Sequence, residues 1–88
     1  MATQERRRSY TTRVWYRMDA EREVCHITDR IRVVRGPAQV PKKQYSYDVQ
    51  LLHNDLWMPV SPILSCAGHA FRRAERIADR HARLEATA

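Results

Sequence analysis

The sequence predicts an α+β fold: an antiparallel sheet of three to four strands, with one C-terminal helix packed on one face. Three observations carry that prediction. The first half of the chain alternates polar and apolar residues with period two, turn residues divide that half into segments, and a single long helical stripe follows Ser61. The 88 residues make one domain, because a core does not usefully divide at that size. With 43% apolar and 30% charged residues the chain can fold, and residues 1–8 are set apart as a flexible basic arm before a domain at 9–88.

The first strand is expected from Ser9 to Met18. Tyr10, Thr12, Val14, Tyr16 and Met18 fall on one side, Thr11, Arg13, Trp15 and Arg17 on the other. Asp19-Ala20-Glu21-Arg22 reads as a polar turn. A second run, Glu23 to Arg35, places Cys25, Ile27, Ile31 and Val33 on one face and His26, Thr28, Arg30 and Arg32 on the other. Asp29 interrupts the apolar face, as a bulge or as the break between two short strands. After the loop at 37–43, stiffened by Pro37 and Pro41, a third strand carries Tyr45, Tyr47, Val49 and Leu51 on one face. His53-Asn54-Asp55 is a turn, since Asn and Asp tolerate positive φ, and Leu56-Trp57-Met58 pairs back until Pro59.

Ser61-Pro62 offers an N-cap and a first helical proline, with Ser65 a competing cap one turn later. The apolar positions then run Ile63, Ala67, Ala70, Ala74, Ile77, His81 and Leu84, widened by Phe71 and Ala78. The alanines permit a close approach to the sheet. Phe71, Ile77 and Leu84 are expected to fill the gaps among Tyr10, Val14, Ile27, Val33, Val49 and Leu51.

The formal charge is +6, from sixteen basic and ten acidic residues. Fourteen of the basic residues are Arg, which suits phosphate, carboxylate and flat rings; a GC-rich coding bias gives the same excess. Residues 1–35 carry nine basic against five acidic side chains, 36–60 two against two, and 61–88 five against three. The surplus therefore lies on the arm, the first two strands and the helix.

Two surfaces follow as candidate binding sites. On the sheet face turned from the helix, Arg13, Trp15 and Arg17 stand beside Arg30 and Arg32, so that an indole stacks on a base while guanidinium groups meet phosphates. Arg6, Arg7 and Arg8 add sequence-independent attraction. On the outer helix face, Arg76 and Arg80 continue to Arg83 in one row. The competing reading of both surfaces is ordinary solvated charge, with Arg stems covering Trp15. The expected partner is nucleic acid or an acidic protein surface, and a homodimer through open sheet edges is a lesser possibility.

Other chemistry finds little support. Cys66-x-x-His69 has ligand-like spacing, but Cys25 and His26 are adjacent on a strand and point to opposite faces, so no metal is expected. Two glycines leave no phosphate-cradling loop or nucleophile elbow, so neither an enzyme nor a cofactor is expected. No segment reads as a signal peptide or membrane span, and two cysteines without such a segment fit a cytoplasmic protein with free thiols.

A sheet followed by a helix carrying Ala70-x-x-x-Ala74-x-x-Ile77-Ala78 is similar, in element order, to the arm-type DNA-binding domains of phage-type integrases. That resemblance implies a sheet face entering the major groove. The same order occurs in short phage and mobile-element proteins, including anti-CRISPR inhibitors, and no motif assigns the chain to a family. The expected function is a small non-enzymatic module engaging nucleic acid or a nucleic-acid–protein complex. The alternative is a protein–protein interaction factor of the phage-inhibitor type, its Arg and aromatic side chains serving as interface anchors.

Overall fold

A computed structural model describes residues 13–87, with side chains described for 13–84. It contains β1 (Tyr16–Arg17), β2 (Glu23–His26), β3 (Ile31–Pro37), β4 (Tyr45–His53), β5 (Leu56–Pro59) and α1 (Ala67–Thr87). The strands form one antiparallel sheet in the order β1-β2-β3-β4-β5, and α1 packs across β3 and β4. The α+β class and the single C-terminal helix agree with expectation; the strands number five, not three to four.

The additional strand comes from the run 23–35, which breaks at Asp29. Thr28 Oγ1 accepts hydrogen bonds from the backbone N–H of Arg30 and Ile31, at 3.1 and 3.0 Å, and turns the chain. β2 and β3 then pair as a hairpin, Cys25 opposite Val33 and His26 opposite Arg32. The polar turn before β2 forms in the same way: Asp19 Oδ1 accepts from the N–H of Glu21 and Arg22, both at 2.9 Å. At the β4–β5 hairpin Asn54 and Asp55 adopt φ of 52° and 64°. Two consecutive positive φ values suit the right-handed strand twist, so a two-residue loop suffices.

Directly opposed residues in an antiparallel pair share a face, so the register assigns sides. Ile31, Val33, Tyr47 and Val49 point to the helix and are buried with Ala70 and Ala74. The two alanines are fully shielded, which lets the helix backbone sit close to the sheet; Ile27, Leu51, Phe71, Ile77 and Ala78 pack around them.

Three expectations require correction. The helix starts at Ala67, close to the competing Ser65 cap and not at Pro62. Leu64 instead exchanges backbone hydrogen bonds with Tyr47, at 2.7 and 2.9 Å, and extends the sheet edge beyond β5. Its side chain joins the core, while Ile63 points away and is 47% exposed, as is Leu84 at 59%. The first strand, expected over 9–18, is within the described residues only Tyr16–Arg17, and its faces are reversed: Trp15 turns into the core and Val14 out, 48% exposed. A one-residue change of register exchanges every side chain, and the larger apolar surface of the indole favours its burial over that of valine. Tyr10, the arm at 1–8 and Arg6, Arg7 and Arg8 lie outside the described residues.

Candidate nucleic-acid interface

Each side of the sheet holds one tryptophan beneath one arginine. On the helix side, Trp15 packs at 5.7 Å from Phe71 and 6.3 Å from Tyr47, centroid to centroid. Arg35 lies 4.2 Å over its ring and 4.5 Å over Tyr45. Arg35 Nε also donates to Glu23 directly across the strand pair, at 2.7 Å. Arg13 stacks 4.0 Å over Phe71 and pairs with Glu75 of α1. Arg13 and Trp15 therefore join β1 to the helix and do not form the outward surface expected of them. Arg17 is exposed opposite Glu23 on that same side of the sheet.

The other side of the sheet carries Tyr16, Val24, His26, Arg32, Val34, Asp48, Gln50, Leu52 and Trp57 by register. No helix lies on it among the described residues. Trp57 reaches across β4 toward β3 and β2, with the Arg32 guanidinium 4.2 Å over its ring and His26 edge-on at 5.9 Å. Arg32 Nε donates to Gln50 Oε1 at 2.6 Å, and Gln50 Nε2 donates to Asp48 Oδ2 at 2.8 Å. Partial burial, then the nearby positive charge of Arg22, lowers the Arg32 pKa below its ordinary value, while Asp48 opposes that shift. The guanidinium remains charged at any physiological pH. Tyr16, 60% exposed, stands at the far edge of the same face.

Of the residues expected on this face, Arg32 is there and His26 with it. Thr28 and Arg30 sit in the β2–β3 turn instead, Arg30 exposed. Arg76 and Arg80 project from the outer surface of α1, as expected, but the core separates them from Arg32 and Trp57. The two surfaces are thus not brought together. Sequence reasoning missed Trp57 because it lies in a charge-neutral segment. Pairing His53 with Leu56 across a two-residue loop would have placed Trp57 opposite Leu52, on the same side as Gln50 and Asp48.

The two thiols differ. Cys25 is buried against Val33, and burial raises its pKa. Cys66 is exposed at the start of α1, where its carbonyl accepts from the Ala70 N–H, and the nearby backbone N–H groups of His69 and Gly68 favour its thiolate and lower its pKa. Among the described residues no three His, Cys, Asp or Glu side chains converge as metal ligands, and no helix is long and apolar enough to cross a membrane. Comparison of the chain with protein-family models, curated proteins and solved structures finds no match in any of the three.

Proposed function

We propose that the protein is a small non-enzymatic binding module whose sheet face opposite the helix engages nucleic acid as an unpaired strand. The observation that carries this reading is the row His26–Arg32–Trp57 on a face without a helix above it. An indole and an imidazole at a sheet surface offer flat apolar area to a base, and Arg32 and Arg22 supply charge for the phosphates beside it. The hydrogen bond from Arg32 to Gln50 fixes the guanidinium plane, so little side-chain freedom remains to be lost on binding. Arg17, Arg30 and the arm residues Arg6, Arg7 and Arg8 add long-range, sequence-independent attraction.

Titration with short single-stranded oligonucleotides, followed by quenching of tryptophan fluorescence, tests the reading. Binding should weaken steeply with salt, and Trp57→Ala should weaken it about tenfold. Affinity weaker than about 100 μM near physiological salt for every DNA and RNA tested overturns it. A stoichiometric protein partner retained from nuclease-treated lysate, together with that failure, identifies the protein as an interaction factor instead.

A further inference from the structure

Next to the Arg32–Trp57 row, the open face contains a groove of about 240 Å³ whose lining includes Arg22, Val34, Gly36, Asp48, Gln50 and Ile63. Its chemistry is one-sided. The hydrogen-bond chain runs from Arg32 through Gln50 and ends on Asp48 Oδ2. The second carboxylate oxygen, Asp48 Oδ1, is buried without any hydrogen-bond partner. Ser46, on the same wall, donates to the carbonyl of Pro37 at 2.9 Å and so does not serve it. A buried carboxylate oxygen with no donor is costly, and a ligand that brings donors removes that cost.

We propose that this groove is a subsite for the Watson–Crick edge of an unpaired guanine; the proposal rests on the nucleic-acid reading of the open face. Guanine presents two adjacent donors, N1–H and the N2 amino group, which one carboxylate accepts together. Adenine and cytosine present a single amino group beside an acceptor nitrogen. Uracil and thymine present one N–H between two carbonyl oxygens, which a carboxylate repels. Val34 and Ile63 supply apolar walls for a flat ring. Gly36 leaves the floor low: a Cβ there would stand 3.3 Å from Arg22 Cγ.

Arg22 is the movable part of the wall. Its head is exposed and held outward by Asp19, with Nε and a terminal nitrogen 2.8 and 2.7 Å from Oδ2. The base enters by displacing this side chain, whose guanidinium then faces guanine O6 or the neighbouring phosphate. The next base stacks by Trp57, one side chain away through Gln50.

The test is fluorescence anisotropy of the full chain with labelled oligouridines. Each carries one central guanosine, inosine, adenosine or cytidine, and an all-uridine strand is the reference. Guanosine should bind about 5-fold to 100-fold more tightly than uridine, and inosine, which lacks the 2-amino group, should fall between them. Asp48→Asn should abolish the preference for guanosine over uridine. The inosine comparison uses the unaltered protein and decides the matter even if that variant does not fold. Equal affinity for all strands overturns the guanine subsite and leaves the open-face reading standing; no binding by any strand overturns both.

Discussion

The two faces of the sheet use the same pair of residues for different ends. Trp15 and Trp57 each lie 4.2 Å beneath an arginine, yet one pair is built into the helix interface and the other stands on the opposite side of the sheet, where no helix lies among the described residues. On the helix side every member of the cluster has a second tie: Trp15 to Phe71 and Tyr47, Arg35 to Glu23, Arg13 to Glu75. On the open side Arg32 and Gln50 are tied, but Trp57 ends beside the exposed His26, and the carboxylate that closes the chain of bonds keeps one oxygen, Asp48 Oδ1, without a partner. An arginine over a tryptophan is therefore not itself a binding signal; what covers the face decides the role.

Substitutions that break this contrast should differ in kind. The largest effect is expected for Trp15→Ala, which removes an indole from between β1 and α1 and should cost about 3 kcal/mol in urea denaturation. Nucleic-acid affinity measured where the variant is still folded should hardly change. If Trp15→Ala weakens binding more than Trp57→Ala does, the division between the faces is wrong.

Next in size, Trp57→Ala should weaken oligonucleotide binding by about 1–3 kcal/mol. Its stability loss should be only about 1 kcal/mol, mainly the stacking with Arg32. A smaller term is the Arg13–Glu75 pair, partly screened at 21% and 17% side-chain exposure. A double-mutant cycle with Arg13→Met and Glu75→Gln should give a coupling of about 0.5–1 kcal/mol.

The smallest effect separates the two thiols. Iodoacetamide should modify Cys66 first, with a rate that rises at lower pH than for an ordinary thiol, whereas Cys25 should react only on unfolding. The sign for stability follows from the lowered pKa. The Cys66 thiolate contributes fully above the ordinary thiol range, and its contribution is lost as pH falls through the lowered value. Peptide mapping after brief alkylation checks the order; equal labelling of both cysteines in the folded protein contradicts it.

Much of this architecture is legible in the chain. The stripe from Ala67 to Ala78 gives the helix and its buried side, and Asn54-Asp55 gives the hairpin, because helical periodicity and positive φ are local properties. The site is less legible. Alternation at Val14-Trp15-Tyr16 identifies a two-sided segment but not its inward side, which depends on Phe71 and Tyr47 far along the chain. Likewise Ser61-Pro62 is a sound helix start taken alone. It is overridden because Leu64 gains two backbone hydrogen bonds and a core position by staying extended. The charge surplus over residues 1–35 coincides with half of the site, Arg32 and His26, whereas Trp57 lies in the charge-neutral hairpin.

The unbroken β1-β2-β3-β4-β5 order bears on how the protein forms as well as on what it displays. Every strand pairs with its neighbour in the chain, so each ladder can zip from its own turn without waiting for a distant segment. Strand pairing that is local in sequence favours a faster search than a crossover topology of the same size, on the order of milliseconds in stopped-flow refolding. A surface that needs no crossover to assemble is displayed as soon as the hairpins close. The helix follows the sheet in the chain and docks on the side opposite Trp57, so closing the core does not bury the open face.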